Sequence, residues 1–288
     1  MKIAVVIATV NRAEELGQLL RCLERQTLAP AAIVISASAA QDLCPDIPAH
    51  VRVVIGAPGV CMQRNRGLDL VLPDSDIVLF FDDDFVPARE SLQAIADLFA
   101  ANPDIVSATG LVLEDGVGNG GLSFEAAMNT INAYEAAPRP PIETHPMLGA
   151  YGCNMAFRAA AIGALRFDEK LPLTGWQEDI DFAVRLSARG RMVKTTAFAG
   201  VHRGVSKGRS SGVRLGFSQI VNPVYLTRKG SMPALKAFVL ITRNLLANHI
   251  KSLRPEPYID RRGRLYGNWV GIMHLATGRA DPARMLRY

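Results

Sequence analysis

A chain of 288 residues, 49% hydrophobic and 20% charged, has the make-up of a globular protein with a sizeable core, which excludes a disordered chain. No window approaches the roughly 18 apolar residues that a membrane span needs, and the apolar run over 3–8 stops at Asn11-Arg12 with no small-residue cleavage site after it, so it reads as a first strand rather than a signal segment. The formal charge of +5 is unevenly spread: residues 1–202 hold 24 acids and 16 bases, whereas residues 203–288 hold 3 acids and 16 bases.

In chain order, residues 3–8 read as a buried strand and 13–25 as a helix with Leu16, Leu19, Leu20 and Leu23 at helical spacing. Strands follow over 32–36 and 51–55, a helix over 63–71 and a strand over 77–81. This alternation with short loops predicts an α/β fold, a mostly parallel central sheet with helices on both faces. Residues 1–110 form its nucleotide-binding half. A helix over 90–101 and a strand over 105–113 come next. The Gly-rich stretch 114–121 and Pro138-Arg139-Pro140-Pro141 predict a mobile segment between or around them, of the kind that serves as a lid. Strand-like segments then cover 153–157 and 195–201, with a helix over 180–188 between them. Residues 111–205 make the second half of the same domain. Residues 206–288 are a helical, basic C-terminal extension, with one or two helices over 213–253 broken near Pro223 and 230–233.

Chemistry concentrates in two acidic clusters. The run Ile77-Val78-Leu79-Phe80-Phe81 ends abruptly in Asp82-Asp83-Asp84. In an open α/β sheet the carboxyl end of a strand faces the ligand crevice, and three like charges there repel one another unless a cation sits among them. A divalent-metal site follows. The second cluster, Trp176-Gln177-Glu178-Asp179-Ile180-Asp181, opens a helix, where acids are ordinary N-terminal electrostatics. Trp176 adds a broad apolar face suited to a sugar ring. His202 follows a strand, and with hard carboxylates elsewhere a histidine can complete an octahedral site for manganese or magnesium. Cys22, Cys44, Cys61 and Cys153 have no C-x-x-C spacing and no nearby histidine, so they read as reduced core thiols in a cytoplasmic protein.

Six motifs, in order, resemble the inverting nucleotide-sugar glycosyltransferases of family 2, whose fold is called GT-A. They are Val6-Ile7-Ala8-Thr9-Val10-Asn11-Arg12, Gln26-Thr27, Arg64-Asn65-Arg66-Gly67, Phe81-Asp82-Asp83-Asp84, Gly152-Cys153-Asn154-Met155-Ala156-Phe157-Arg158 and Trp176-Gln177-Glu178-Asp179-Ile180-Asp181. The resemblance implies a metal-dependent hexosyltransferase that moves a sugar from a nucleoside diphosphate to an acceptor hydroxyl. Asp82 and Asp84 resemble the family's D-x-D pair, with Asp84 and Asp82 holding Mn2+ or Mg2+ and His202 completing the set. Asp179 matches the catalytic base and Glu178 the neighbour that positions it. Thr9, Asn11, Arg12, Ser36, Arg64, Asp82 and Asp83 fall on the donor side, and Asn154 and Trp176 on the acceptor side. For Asn11 a plain cap on the helix at Ala13 is an equal reading.

Two positions depart from the family pattern. The second strand ends Ser36-Ala37-Ser38 where the family usually carries an Asp, and Val10 stands where an aromatic is common. A neutral hydroxyl cannot replace a charged acceptor at full strength, so this departure leaves the nucleotide undetermined; UDP is the family default, with dTDP and GDP open.

The basic C-terminal end suggests an anionic partner, a lipid surface or a phosphorylated acceptor rather than nucleic acid, with a solvated basic tail as the plain alternative. Leu235, Phe238, Val239, Leu245 and Leu246 recur at helical intervals. That spacing fits an interfacial helix and a core helix alike, and core packing is the weightier expectation. The net charge points to a peripheral enzyme at the inner membrane face that works on a lipid-linked or polysaccharide glycan. Two other classes compete: a nucleotidyltransferase acting on sugar phosphates, and a non-catalytic module that binds polyanions or membrane surfaces. The first lacks a Gly-rich phosphate loop at 8–12, and the second leaves the acids unexplained.

Overall fold

The apolar N-terminal run forms β1 (Ile3–Thr9), buried from Ile3 to Ile7. Four leucines spaced by three or four put one face of α1 (Ala13–Glu24) inward. Next come β2 (Ala32–Ala37), β3 (Arg52–Ile55), α2 (Val60–Val71) and β4 (Ile77–Asp82). β1 pairs in parallel with β2 and β4, and β2 with β3, as helical crossovers require. The structure of the protein is a computed structural model that describes residues 1–208 and 210–288.

Past β4 the sheet becomes mixed. β5 (Phe85–Pro87), α3 (Ser91–Ala101), β6 (Ile105–Asp115), α4 (Phe124–Ala136), β7 (Thr144–Pro146), β8 (Asn154–Arg158), α5 (Ala159–Ile162), α6 (Glu178–Leu186) and β9 (Arg191–His202) follow. Strand order is β3-β2-β1-β4-β8-β6-β9-β5, with β7 also on β9. β8 runs antiparallel between β4 and β6, whereas β6 and β9 are parallel. The α/β class expected from the sequence holds, and parallel pairing is confined to β3-β2-β1-β4 and β6-β9.

One glycine sets how closely α2 lies on the sheet. A Cβ at Gly67 would come within 2.3 Å of Val6 Cγ1, so only a bare backbone fits there. This contact seats the Arg64-to-Gly67 motif against β1.

The segment expected to be mobile holds α4 instead. Ser123 Oγ accepts the Ala126 N–H at 3.1 Å as its N-cap, and Ala127 and Ile131 are buried with Val86 and Val201. The Gly-rich and Pro-rich stretches flank this helix.

Two compact units divide the chain. The first contains Met1–Pro58, Met62–Arg166 and Phe182–Gly208; the second contains Gly59–Cys61, Phe167–Asp181 and the C-terminal residues through Tyr288. Within the second unit, α7 (Gly212–Lys229), α8 (Ala234–Lys251) and α9 (Arg261–Ala276) form the C-terminal helices. Pro223 lies inside α7 and does not break it; the helix ends at Gly230, whose φ of 87° is the left-handed C-terminal conformation. α7 and α9 meet through glycines: a Cβ at Gly216 would lie 2.1 Å from the Arg264 carbonyl oxygen, and one at Gly267 2.0 Å from that of Val213. Buried amides join all three helices. Asn248 Nδ2 donates to Gln219 Oε1 and to Asn268 Oδ1, each at 2.9 Å, and Asn268 Nδ2 donates to the Gly216 carbonyl at 2.7 Å.

The core packing expected for the apolar side of α8 is not what forms. Only Ala237 and Asn248 of that helix are buried, and Leu235, Phe238, Val239, Leu246 and Ile250 are exposed. No described helix is long and apolar enough to cross a membrane.

Candidate active site

Sheet register assembles the acidic site. β1 and β4 run in parallel with Ala8 opposite Asp82, so Thr9 and Asp83 leave the sheet side by side. Thr9 Oγ1 donates to Asp83 Oδ2 at 2.8 Å, and Arg12 Nη1 donates to Asp83 Oδ1 at 2.8 Å. The same Arg12 nitrogen stands 3.3 Å from Asp84 Oδ2, and Arg12 Nη2 donates to the Val205 carbonyl at 2.7 Å. Arg12 therefore ties the first-strand loop to the residues after β9.

His202 arrives by a second pairing. β5 and β9 are antiparallel with Phe85 opposite His202, which brings the imidazole beside Asp84. Its Nε2 is 3.4 Å from Asp84 Oδ1 and 4.0 Å from Asp82 Oδ2. At 3.4 Å the contact completes no regular hydrogen bond, and Asp84 Oδ1 is buried without a hydrogen-bond partner. On the far side of the ring, Nδ1 faces Asp115 Oδ1 at 3.1 Å, and the Tyr151 hydroxyl donates to Asp115 Oδ2 at 2.6 Å. Asp115 stands directly opposite His202 in the β6-β9 ladder. A carboxylate on Nδ1 holds the ring with Nε2 toward Asp84 and Asp82, the orientation that carboxylates also give to metal-ligating histidines.

The charges are uneven in strength. Burial would raise Asp84, yet His202, Arg12 and the Val205 N–H hold it below the usual carboxylate range. Burial and the neighbouring Asp84 push Asp83 up against the pull of Arg12. Burial disfavours a charged His202, but Asp115 and Asp84 overcome it and push the imidazole up to about 10. Asp82, Asp84 and His202 each offer a ligand atom, all within 4.8 Å of one another. Two hard carboxylate donors, one of them with a buried oxygen outside any hydrogen bond, and one imidazole fit a divalent cation.

The other expected residues have definite places. Asp82 is half-exposed and accepts from Arg64 Nη2 at 3.0 Å, while Arg64 is buried and also donates to the Gly152 carbonyl at 3.0 Å. Asn11 does not cap α1: Arg12 occupies that position without a side-chain bond, and Asn11 takes a φ of 56° while its backbone N–H donates to Asp42 Oδ1 at 2.7 Å. Ser36 is fully buried; Arg66 Nε donates to its Oγ at 3.2 Å, and Gln63 Nε2 donates to its carbonyl at 2.6 Å and to that of Thr9 at 2.9 Å. Asn154 is fully buried opposite Phe81, with both side-chain polar atoms unpartnered.

Trp176, Glu178 and Asp179 sit together at the start of α6. The loop into that helix is strained: Leu173, Gly175 and Gln177 take φ of 53°, 62° and 80°. Val60 N–H donates to the Leu173 carbonyl at 2.7 Å, and Asn222 Nδ2 to the Trp176 carbonyl at 3.0 Å. Glu178 is buried, whereas Asp179 is half-buried with Oδ1 accepting the Ile180 N–H at 2.8 Å. Asp181 is fully buried and bound to Lys229 at 2.8 Å.

Sequence reasoning missed Asp115 and Tyr151, which hold His202, and Asp42 and Gln63, which join the β1 and β2 loops. Asp42 Oδ2 accepts the N–H groups of Ser38 at 3.0 Å and Ala39 at 2.8 Å. Only an acid shortly after the second strand could have signalled it.

The profile described as Glycosyl transferase family 2 matches residues 4–166, more than half of the chain. The protein belongs to glycosyl transferase family 2, and that family places it among the glycosyltransferases. It is similar to the uncharacterized glycosyltransferase YwdF of Bacillus subtilis (strain 168), 32% identical over 117 residues that make up 37% of this chain. That match spans 44% of YwdF, less than half of the curated relative. Among solved structures it resembles S. aureus TarS 1-349, with a TM-score of 0.55 at 15% identity over 99% of this chain and 82% of the other. It also resembles the mannosyltransferase PcManGT from Pyrobaculum calidifontis, with a TM-score of 0.53 at 16% identity over 99% of this chain and 78% of the other. GalNAc-T7 gives 0.53 at 11% identity, over 100% of this chain and 56% of the other. These likenesses establish a shared GT-A fold.

Proposed function

We propose that the protein moves a sugar from a nucleoside diphosphate, UDP in first preference, to an acceptor hydroxyl on a lipid-linked or polysaccharide glycan, with inversion at the anomeric carbon. The observation that carries this reading is the convergence of Asp82, Asp84 and His202 at the carboxyl end of β4, with one buried oxygen unpartnered. A bound Mn2+ or Mg2+ would supply Lewis-acid neutralisation of the leaving diphosphate. PcManGT is described in complex with GDP-Man and Mn2+, and GalNAc-T7 with UDP, GalNAc and Mn2+, which agrees with a cation and a nucleotide donor here.

The chain's own groups divide the remaining work. Asp82 and Asp83, with Thr9, Asn11, Arg12, Ser36 and Arg64, form or shape the donor side. Arg12 and Arg64 give their guanidinium N–H groups to Asp83, Asp82 and backbone carbonyls, so they fix the carboxylates and set the charge of the donor side. Asp179 takes the proton of the attacking hydroxyl, because inversion needs a base on the face opposite the leaving group. Glu178 positions it. Trp176 offers a ring face to the acceptor.

Incubation with Mn2+ and a panel of nucleotide sugars tests this reading. Release of nucleoside diphosphate with a glycosylated acceptor is expected, and Asp179→Asn lowers turnover on the order of 10²–10⁴-fold while donor binding persists. Release of pyrophosphate would point to a nucleotidyltransferase instead, and full turnover by Asp179→Asn would remove the assigned base.

A further inference from the structure

Apolar side chains that a soluble helix normally hides form the outer face of the C-terminal unit. On α8 the row Leu235, Val239, Leu246 and Ile250 is 74%, 55%, 56% and 68% exposed, and Leu253 just beyond is 82% exposed. Their spacing of four, seven and four places them on one helix face. On α9, Tyr266, Trp269 and Met273 are exposed at spacings of three and four. The two rows adjoin, because the His249 ring of α8 packs edge-on against Trp269 at 5.7 Å. Surface leucines scattered singly need no explanation, but a contiguous patch drawn from two helices marks a docking surface.

Charge selects the occupant. Residues 203–288 carry 16 bases and 3 acids, and Lys236, Arg243, Lys251, Arg254 and Arg262 are exposed on or beside these rows. A second copy meeting the patch about a two-fold axis would bring basic helices against basic helices. A polar protein partner would leave the leucines wet. An anionic lipid surface satisfies both features: acyl chains accept the apolar row, phosphates accept the bases, and Trp269 and Tyr266 suit the headgroup boundary. Lys236, Arg243 and Lys251 bar α8 from crossing the bilayer, so the helix lies in its plane.

We infer that α8 and α9 dock the protein on an anionic phospholipid surface. This does not rest on the transferase reading. Sedimentation with vesicles of phosphatidylcholine containing about 30% phosphatidylglycerol, at low salt and with no sugar donor present, tests it directly. The wild-type protein is expected to pellet with these vesicles and far less with pure phosphatidylcholine. Leu246→Glu with Ile250→Glu lowers the partition about tenfold or more. Lys236→Gln and Arg243→Gln lower it about fivefold each. All four residues are solvent-facing, and circular dichroism checks that the fold persists. Absence of pelleting, or pelleting indifferent to the double substitution, overturns the inference. So does a dimer in light scattering that the double substitution splits, since a second copy would then cover the patch. Because no donor is present, failure here leaves the acidic site untouched, and failure of transfer leaves this surface untouched.

Discussion

The β4 crevice and the α8-α9 surface break the same packing rule in opposite directions. At the crevice, Asp83, Asp84, Arg12 and His202 are largely taken out of water, which costs several kcal/mol per unpaired ion, and the register of β1-β4 and β5-β9 holds them there. At the C-terminal helices, side chains that burial would stabilise are left in water, although α7 and α9 pack closely enough that only glycines fit between them. On the proposed reading the buried acids serve a cation with its diphosphate, and the exposed row of leucines serves a lipid surface.

Substitutions separate the two. The largest effect is expected from Asp84→Ala, which removes the unpartnered oxygen and lowers sugar transfer on the order of 10³-fold while vesicle binding is unchanged. The α8 double glutamate substitution does the reverse, leaving transfer to a water-soluble acceptor intact. A common loss in both assays would show that the two regions are not separable. Asp115→Asn sharpens the comparison further, because Asp115 offers the cation no ligand and acts only through its contact with His202 at 3.1 Å. By loosening His202 it lowers Mn2+ affinity about 10- to 100-fold, measured by electron paramagnetic resonance, without changing the oligomeric state. Unchanged affinity would make Asp115 a merely structural neighbour.

The smallest effect lies in the second unit, where ion pairing is structural. Burial alone would raise Asp168, but Lys229 Nζ at 2.5 Å and the Tyr225 hydroxyl at 2.7 Å hold its carboxyl below the usual range. A depressed folded pKa gives stability that is present above the unfolded value of about 3.9 and is lost as pH falls through the folded value. Asp168→Asn is therefore expected to cost about 1–2 kcal/mol at neutral pH, with the gap in Tm to wild type closing toward the acid end. A gap constant with pH would mean that packing, not charge, is lost.

Much of the first unit was legible because its signals are local. The run from Ile77 to Phe81 and the acids after it announce a strand and its functional end within eight residues, and the first helix follows from the spacing of its leucines. The partners of His202 were not legible. Asp115 lies 87 residues away, and only the β6-β9 register makes it a neighbour. α9 is hard to read for the opposite reason: Gly263, Gly267 and Gly271 lower helix propensity, yet Gly267 and Gly271, four apart, form the groove that receives α7, while Gly263 lies against its own N-cap Asp260. α4 was hidden between glycine and proline stretches that do not belong to it. For α8 the spacing was read correctly and the side was not, since periodicity defines a face without saying what lies against it.

Anomalous scattering from crystals grown with Mn2+ and UDP tests whether Asp82, Asp84 and His202 hold a cation at the donor diphosphate, as proposed. A single manganese peak bounded by those three side chains, with the diphosphate oxygens against it, is the result predicted here. Diphosphate bound with no metal among these residues, or manganese bound elsewhere on the protein, would contradict it.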